Sequence, residues 1–207
     1  MKKILHIVAS PRGENSRTLK IAKALLDRLG ELIPGAEIDE LNVFEENLPE
    51  MNITRVSGKY QLMSGQPLGG EAERSWQKIV ESIQRFMSAD IIVVSTPMWN
   101  FSIPYRLKHY LDIILQPGYT FSYGANGPEG MAVGKKVFVV STHGGDYSEA
   151  GPASSYNQLK PYLQQIFAFI GVTDQTFISA QPMDAGGADL RERMIAEAVG
   201  RAQKISL

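Results

Sequence analysis

A chain of 207 residues with 43% hydrophobic side chains and no cysteine can bury one sizeable core but is short for two, and it excludes disulfides, thiolate metal sites and cysteine nucleophiles. A formal charge of -1, from 21 basic and 22 acidic residues, excludes long-range attraction to nucleic acid or anionic lipid, so a negatively charged ligand has to be held by local geometry. No apolar run approaches the roughly 18–20 residues of a membrane span, and the opening MKKILHIVASP lacks the apolar core and cleavage site of a secretory signal; the expectation is a cytoplasmic protein.

In chain order, Ile4–Val8 is a continuous β-branched run, the pattern of a parallel strand covered on both faces. Ser16–Leu29 follows as a helix with Leu19, Ala22, Leu25, Leu26 and Leu29 on one face. Ala36–Leu41 is a weaker strand, with Ile38 and Leu41 apolar among acids. Asn47–Gly70, broken by Pro49, Gly58, Gly65, Pro67 and Gly69-Gly70, is a long irregular connection or a partly helical excursion. Glu71–Met87 is helical through Trp76, Val80, Ile83 and Met87, and Ile91–Val94 is a second buried strand. Pro104–Leu115 forms a helix through Tyr105, Leu107, Leu111 and Ile114. In Gly118–Gly134, Tyr119, Phe121 and Tyr123 alternate ahead of Gly124-Ala125-Asn126-Gly127-Pro128, a small hairpin or flap. Val137–Val140 is the third strong strand, and Tyr156–Ile170, Gln175–Ala180 and Ala188–Ala202 complete the alternation as helix, weaker strand and helix. This order implies an α/β fold: a doubly wound parallel sheet with right-handed crossovers and helices on both faces, in one domain spanning 1–207 with an insertion at 118–134.

Ligands of such sheets bind outside the carboxyl ends of the strands. After the first strand, the hydroxyls of Ser10, Ser16 and Thr18 and the charge of Arg17 accompany the N–H groups of a helix N-terminus, a combination that suits a single phosphate. The plainer reading is that Ser16 is a helix cap and Asn15 a turn residue. The loop matches neither the dinucleotide fingerprint nor the P-loop. After the second strand, Pro97 is expected to force the chain out of the sheet. The short turn before Pro104 then carries Met98, Trp99 and Phe101 as apolar surface and Asn100 as a polar reader of a heterocycle edge, or is a lid or subunit contact. After the third strand come Thr142, His143 and the pair Gly144-Gly145, where the backbone can approach a ligand or simply turn.

Ser10 with Ser16-Arg17-Thr18, the stretch Pro97-Met98-Trp99-Asn100-Phe101-Ser102-Ile103-Pro104 with Leu107-Lys108, Thr120-Phe121, Gly127-Pro128-Glu129-Gly130, Gly134-Lys135-Lys136 and Gly144-Gly145 together resemble the FMN-dependent NADH azoreductases of the flavodoxin-like quinone reductase superfamily. The resemblance covers nearly the whole chain. It implies a five-stranded sheet of order 2-1-3-4-5, noncovalent FMN, and a homodimer with active sites at its interface. It also implies that Ser10 and Ser16–Thr18 hold the phosphate and ribityl end, that Pro97 and Met98–Phe101 line the isoalloxazine, and that Thr142–Gly145 hold the far edge of the ring. Trp99 stands where the family often has tyrosine, and His143 near a position often arginine or serine.

The reaction so implied is two-electron, ping-pong hydride transfer from NADH through FMN to a quinone or an azo compound, with no metal and no acid–base side chain. His143 is the candidate for stabilising the negative charge of the reduced flavin, because histidine titrates near neutral pH; otherwise it is a loop residue facing solvent. The 47–70 excursion and the 118–134 flap are expected to shape acceptor choice. The rival readings are an NADPH-preferring reductase of chromate or nitro compounds, a flavodoxin-type electron carrier, and a binding domain with an aromatic interaction patch.

Overall fold

The structure, a computed structural model, describes residues 1–207. Strands β1 (Lys3–Val8), β2 (Glu37–Asn42) and β3 (Ile91–Pro97) alternate with helices α1 (Arg17–Leu32), α2 (Ile53–Met63), α3 (Gly70–Met87) and α4 (Tyr105–Ile114). The chain continues through β4 (Phe121–Gly124), β5 (Gly127–Gly130), β6 (Lys136–Thr142), α5 (Leu159–Phe169), β7 (Asp174–Ala180) and α6 (Gly187–Gln203). The main sheet is parallel, in the order β2-β1-β3-β6-β7. The expected order 2-1-3-4-5 is therefore not matched strand for strand: residues 118–134 contribute two strands, β4 and β5, which pair antiparallel with each other outside the main sheet.

Two apolar clusters sandwich the sheet. On one face Leu5, Ile7, Ile92, Val94, Val137 and Val139 meet α3, α4 and α5 through residues such as Phe86, Tyr110 and Phe167. On the other, Ile4, Val93, Phe138 and Val140 meet α1 and α6 through Ile21, Leu25, Leu29, Ile195 and Ala198. Strands alternate cleanly between the two clusters, which explains why β1, β3 and β6 show unbroken apolar runs.

Local departures from expectation have identifiable causes. The 47–70 excursion holds α2, started by Asn52, whose Oδ1 accepts from the Arg55 N–H at 3.1 Å. The helix expected from Tyr156 begins at Leu159: Asn157 Oδ1 accepts from the Lys160 N–H at 3.2 Å and Pro161 falls in the first turn, where a missing N–H costs nothing. Pro97 does not leave the sheet but is the last residue of β3, in register with Thr142, and the Met98 N–H supplies the next bond to the Thr142 carbonyl at 2.9 Å. The β4–β5 hairpin directly precedes β6 and packs on the carboxyl end of α5, so it sits at the end of the sheet opposite the strand carboxyl termini. A Cβ on Gly130 would lie 2.1 Å from the Gly171 nitrogen, an approach only glycine permits.

Candidate active site

At the carboxyl ends of the strands a cavity of about 250 Å³ is bounded by the loops that follow β1, β3, β6 and β7. Ser16 caps α1, its Oγ accepting from the Leu19 N–H at 3.3 Å, and the same Oγ lies 2.8 Å from the Ser10 hydroxyl. The cap and the ligand-facing role are therefore compatible in one residue. The N–H groups of Arg17 and Thr18, the first two of the helix, have no partner within the chain and open toward the same space. The Thr18 and Thr142 hydroxyls, both buried, lie 2.6 Å apart. Arg17 donates to Asp184 at 2.9 Å across the mouth.

The turn after β3 is a tight two-residue reversal. Trp99 N–H bonds the Ser102 carbonyl at 2.9 Å and Ser102 N–H returns to Trp99 at 3.0 Å, while Asn100 and Phe101 both take positive φ, 46° and 71°. Asparagine tolerates that region; for phenylalanine it stores on the order of 1–3 kcal/mol, a cost usually found where a side chain must be presented. The structure presents aromatic surface on both sides. Trp99 packs against Phe44 with centroids 5.7 Å apart, and Phe101 packs against Tyr156 at 5.5 Å.

All the sequence-selected residues line the cavity except Asn100, Phe101 and Gly145. The glycine pair makes room for protein atoms: a Cβ on Gly144 would stand 3.0 Å from Asp184 Oδ2, and one on Gly145 would stand 3.2 Å from the Tyr147 ring. Pro11, Arg12, Met183 and Asp184 also line it and were not singled out from sequence. Asp184 and Met183 belong to the loop after β7; extending the strand-end rule to the weakest strand would have found them. No residue of the 47–70 excursion or of the hairpin reaches the cavity.

His143 is neither a solvent-facing loop residue nor a cation. It is buried, with Nδ1 2.9 Å from Gln181 Oε1 and Nε2 3.0 Å from the Ser141 hydroxyl. Burial holds its pKa below the ordinary histidine value despite the Gln181 bond, so the ring is neutral at pH 7. Nδ1–H donating to the Gln181 oxygen leaves Nε2 to accept from Ser141, and both ring nitrogens are used inside the chain. A positively charged His143 compensating a ligand's negative charge is thus at odds with its surroundings. His6, on β1, is similarly buried between Ser95 Oγ at 2.8 Å and Glu40 Oε2 at 3.3 Å, with burial again lowering its pKa against the opposing pull of Glu40.

The profile of the flavodoxin-like fold family matches residues 2–205, and the chain belongs to that family. It is 41% identical to the FMN-dependent NADH:quinone oxidoreductase of Nitratidesulfovibrio vulgaris, over all of this chain and 99% of that one. Among solved structures, an azoreductase from Bacillus anthracis superposes with a TM-score of 0.89 at 28% identity, covering 99% of this chain and 98% of that one. An FMN-dependent NADH-azoreductase from the same species, solved in complex with FMN, superposes with a TM-score of 0.86 at 28% identity, with 99% of each chain covered. The protein is an oxidoreductase of this lineage. No helix is long and apolar enough to cross a membrane.

Proposed function

We propose that the chain binds FMN noncovalently at the strand-end cavity and passes two electrons from NADH to a quinone or an azo compound. The observation that carries this reading is the convergence of a helix N-terminus with free N–H groups, buried hydroxyls and an aromatic turn on one cavity. The name of the 41% identical relative supplies the reaction class.

The residues fit the group. The N–H groups of Arg17 and Thr18 lie at the positive end of α1 and suit a phosphate, while the Ser10 hydroxyl now pairs with Ser16 and the Thr18 hydroxyl with Thr142, and all are free to turn toward it. Arg17 adds charge at the mouth, and Asp184 fixes its direction. Pro97, Met98, Trp99 and Phe101 supply flat apolar surface for the isoalloxazine, Asn100 a donor and acceptor at the turn, and Thr142–Gly145 the far wall. His143, neutral and held by Gln181 and Ser141, orients the backbone of that wall and carries no charge to the ligand.

FMN, when bound, supplies the two-electron chemistry. The chain's own contribution would be to hold the group between the loop after β1 and the strained turn after β3, with donor and acceptor entering the same cavity in alternation, the condition for ping-pong turnover. A quinone takes two electrons and two protons to become a hydroquinone. An azo bond needs two such rounds, four electrons and four protons, to part as two amines, so each cleavage consumes two NADH. The chain acts as a single cytoplasmic domain, 1–207, and as a homodimer with active sites at its interface. The exposure of Trp99, Phe101 and Tyr156 beside the strand-end cavity supports a partner covering this apolar surface.

A visible spectrum of the purified protein followed by anaerobic NADH tests the proposal. Flavin bands that bleach with NADH and recover when a quinone is added are expected. A colourless protein that takes up no FMN would refute it, and flavin bands unmoved by NADH would favour an electron carrier.

A further inference from the structure

A second cavity, of about 540 Å³, lies among the segment after β2, the start of α2 and the start of α4. Four basic side chains line it, Arg55, Lys78, Arg106 and His109, in a chain whose net charge is -1. Three of them are built into the backbone around it. Arg106 donates from Nε to the Val43 carbonyl and from Nη2 to the Glu46 carbonyl, both at 2.6 Å. Arg55 donates to the carbonyls of Ser75 at 3.2 Å and Glu50 at 2.5 Å, and His109 Nε2 lies 3.0 Å from the Pro49 carbonyl. Carbonyls orient a guanidinium without cancelling its charge. Of the carboxylates that line it, Glu46 is taken by Arg85 at 2.8 Å and Glu50 forms no ion pair. The Lys78 ammonium has neither a hydrogen-bond partner nor an ion pair within the chain and offers all three donors to a ligand.

The cavity is joined to the candidate active site by aromatic rings. The bonds from Arg106 fix residues 43–46 and with them Phe44, whose ring packs 5.7 Å from Trp99 on one side and 5.9 Å from Tyr105 on the other. Trp99 lines the strand-end cavity and Tyr105 lines the cationic one. A run of aromatic rings, inclined at 60° and then 89°, thus leads in two ring-to-ring steps to the preorganised guanidiniums of Arg55 and Arg106 and the Lys78 ammonium. A dinucleotide has this layout: a planar nicotinamide at one end, then a doubly charged pyrophosphate that needs cationic donors.

We propose that the cavity lined by Arg55, Lys78, Arg106 and His109 binds the pyrophosphate of the dinucleotide electron donor while the nicotinamide stacks beside Trp99. This rests on the oxidoreductase reading above and adds to it a site for the part of the donor that does not react. Arg55 and Arg106 are fixed contributors; Lys78 is the adjustable one, and its substitution disturbs no bond of the fold.

The test compares Lys78→Glu and Lys78→Ala with the unmodified FMN-loaded enzyme, using NADH and the phosphate-free donor N-benzyl-1,4-dihydronicotinamide. In a ping-pong cycle kcat/KM for each substrate reports its own half-reaction. The expected result for Lys78→Glu is a fall of about tenfold in kcat/KM for NADH, a smaller fall for Lys78→Ala, and no change for the truncated donor or the quinone. ADP-ribose should compete with NADH and leave the truncated donor unaffected. Equal losses with both donors, or kcat/KM for NADH within twofold of the unmodified enzyme in Lys78→Glu, would overturn the assignment while leaving the flavin chemistry standing. If the unmodified enzyme oxidises neither donor, the oxidoreductase reading fails and this inference falls with it.

Discussion

The Thr18–Thr142 pair separates what the fold needs from what a ligand needs. Thr18→Val keeps the side-chain shape but strands the Thr142 hydroxyl, which loses its 2.6 Å partner in a buried setting, Thr18 being 1% and Thr142 9% exposed. Leaving a buried hydroxyl without a partner costs about 1–3 kcal/mol, so the FMN-free protein should melt roughly 2–10 °C lower for a chain of this length. Thr142→Val should do the same. The double variant Thr18→Val/Thr142→Val replaces both partners with apolar groups of the same shape and should return to within about 0.5 kcal/mol of the parent. Fluorescence titration of the double variant with FMN should nevertheless show affinity reduced about tenfold, because the Thr18 hydroxyl is no longer offered to the phosphate or the Thr142 hydroxyl to the far wall. Additive losses in the double variant would refute the pairing, and unchanged FMN affinity would refute the role of these hydroxyls in the site.

Gly130→Ala sets a Cβ 2.1 Å from the Gly171 nitrogen and 2.2 Å from the Ile170 carbonyl carbon, both backbone; the expected cost is about 3 kcal/mol, with hydrogen-exchange protection lost across 121–132, and unaltered protection would mean the contact is not so close. Phe101→Gly relieves a φ of 71° but removes the ring, so stability should stay within about 1 kcal/mol of the parent while quinone turnover falls severalfold; a destabilised but fully active variant would contradict the presentation argument. Burial keeps the folded pKa values of His6 and His143 below their unfolded value of about 6.5, so the unfolded chain takes up protons first as pH falls. Their contribution is complete above that pH and is lost on acidification. Arg85 holds the Asp39 carboxyl low, adding a second loss below about pH 4. Urea midpoints should fall between pH 7.5 and 5, and a flat profile there would disprove the two buried neutral rings.

Much of the fold was legible because β1, β3 and β6 are covered on both faces and must be apolar at every position. β2 was harder to read, since it is an edge strand whose Asp39 faces Arg85, at 2.7 Å, rather than a core. β7 was also weak: only Ile178 and Ala180 are buried, and with its pattern diluted the loop carrying Asp184 escaped notice. Ser16 could be placed because helix capping and phosphate binding ask for the same residue type. The positive φ of Phe101 had no glycine to announce it. The alternation of Phe121 and Tyr123 identified a hairpin but not which end of the sheet receives it; that depends on Gly130 meeting Gly171, a contact between residues 41 positions apart. Nor could a lone histidine in a loop announce its partners: Gln181 reaches His143 from across the sheet edge.

The strand-end cavity is walled by four loops that leave four different strands, and those strands span the sheet from β1 to β7. A ligand seated there ties together the ends of four of the five sheet strands, so its binding energy resists their separation on unfolding and not the opening of one loop alone. At a free concentration a hundredfold above its dissociation constant such a ligand adds about 2.7 kcal/mol, comparable with the loss from a damaging core substitution. The steady-state amount of this protein in a cell therefore follows flavin supply: chains made when FMN is scarce spend more time open to proteases, and starvation for the vitamin lowers the enzyme's abundance as well as its loading.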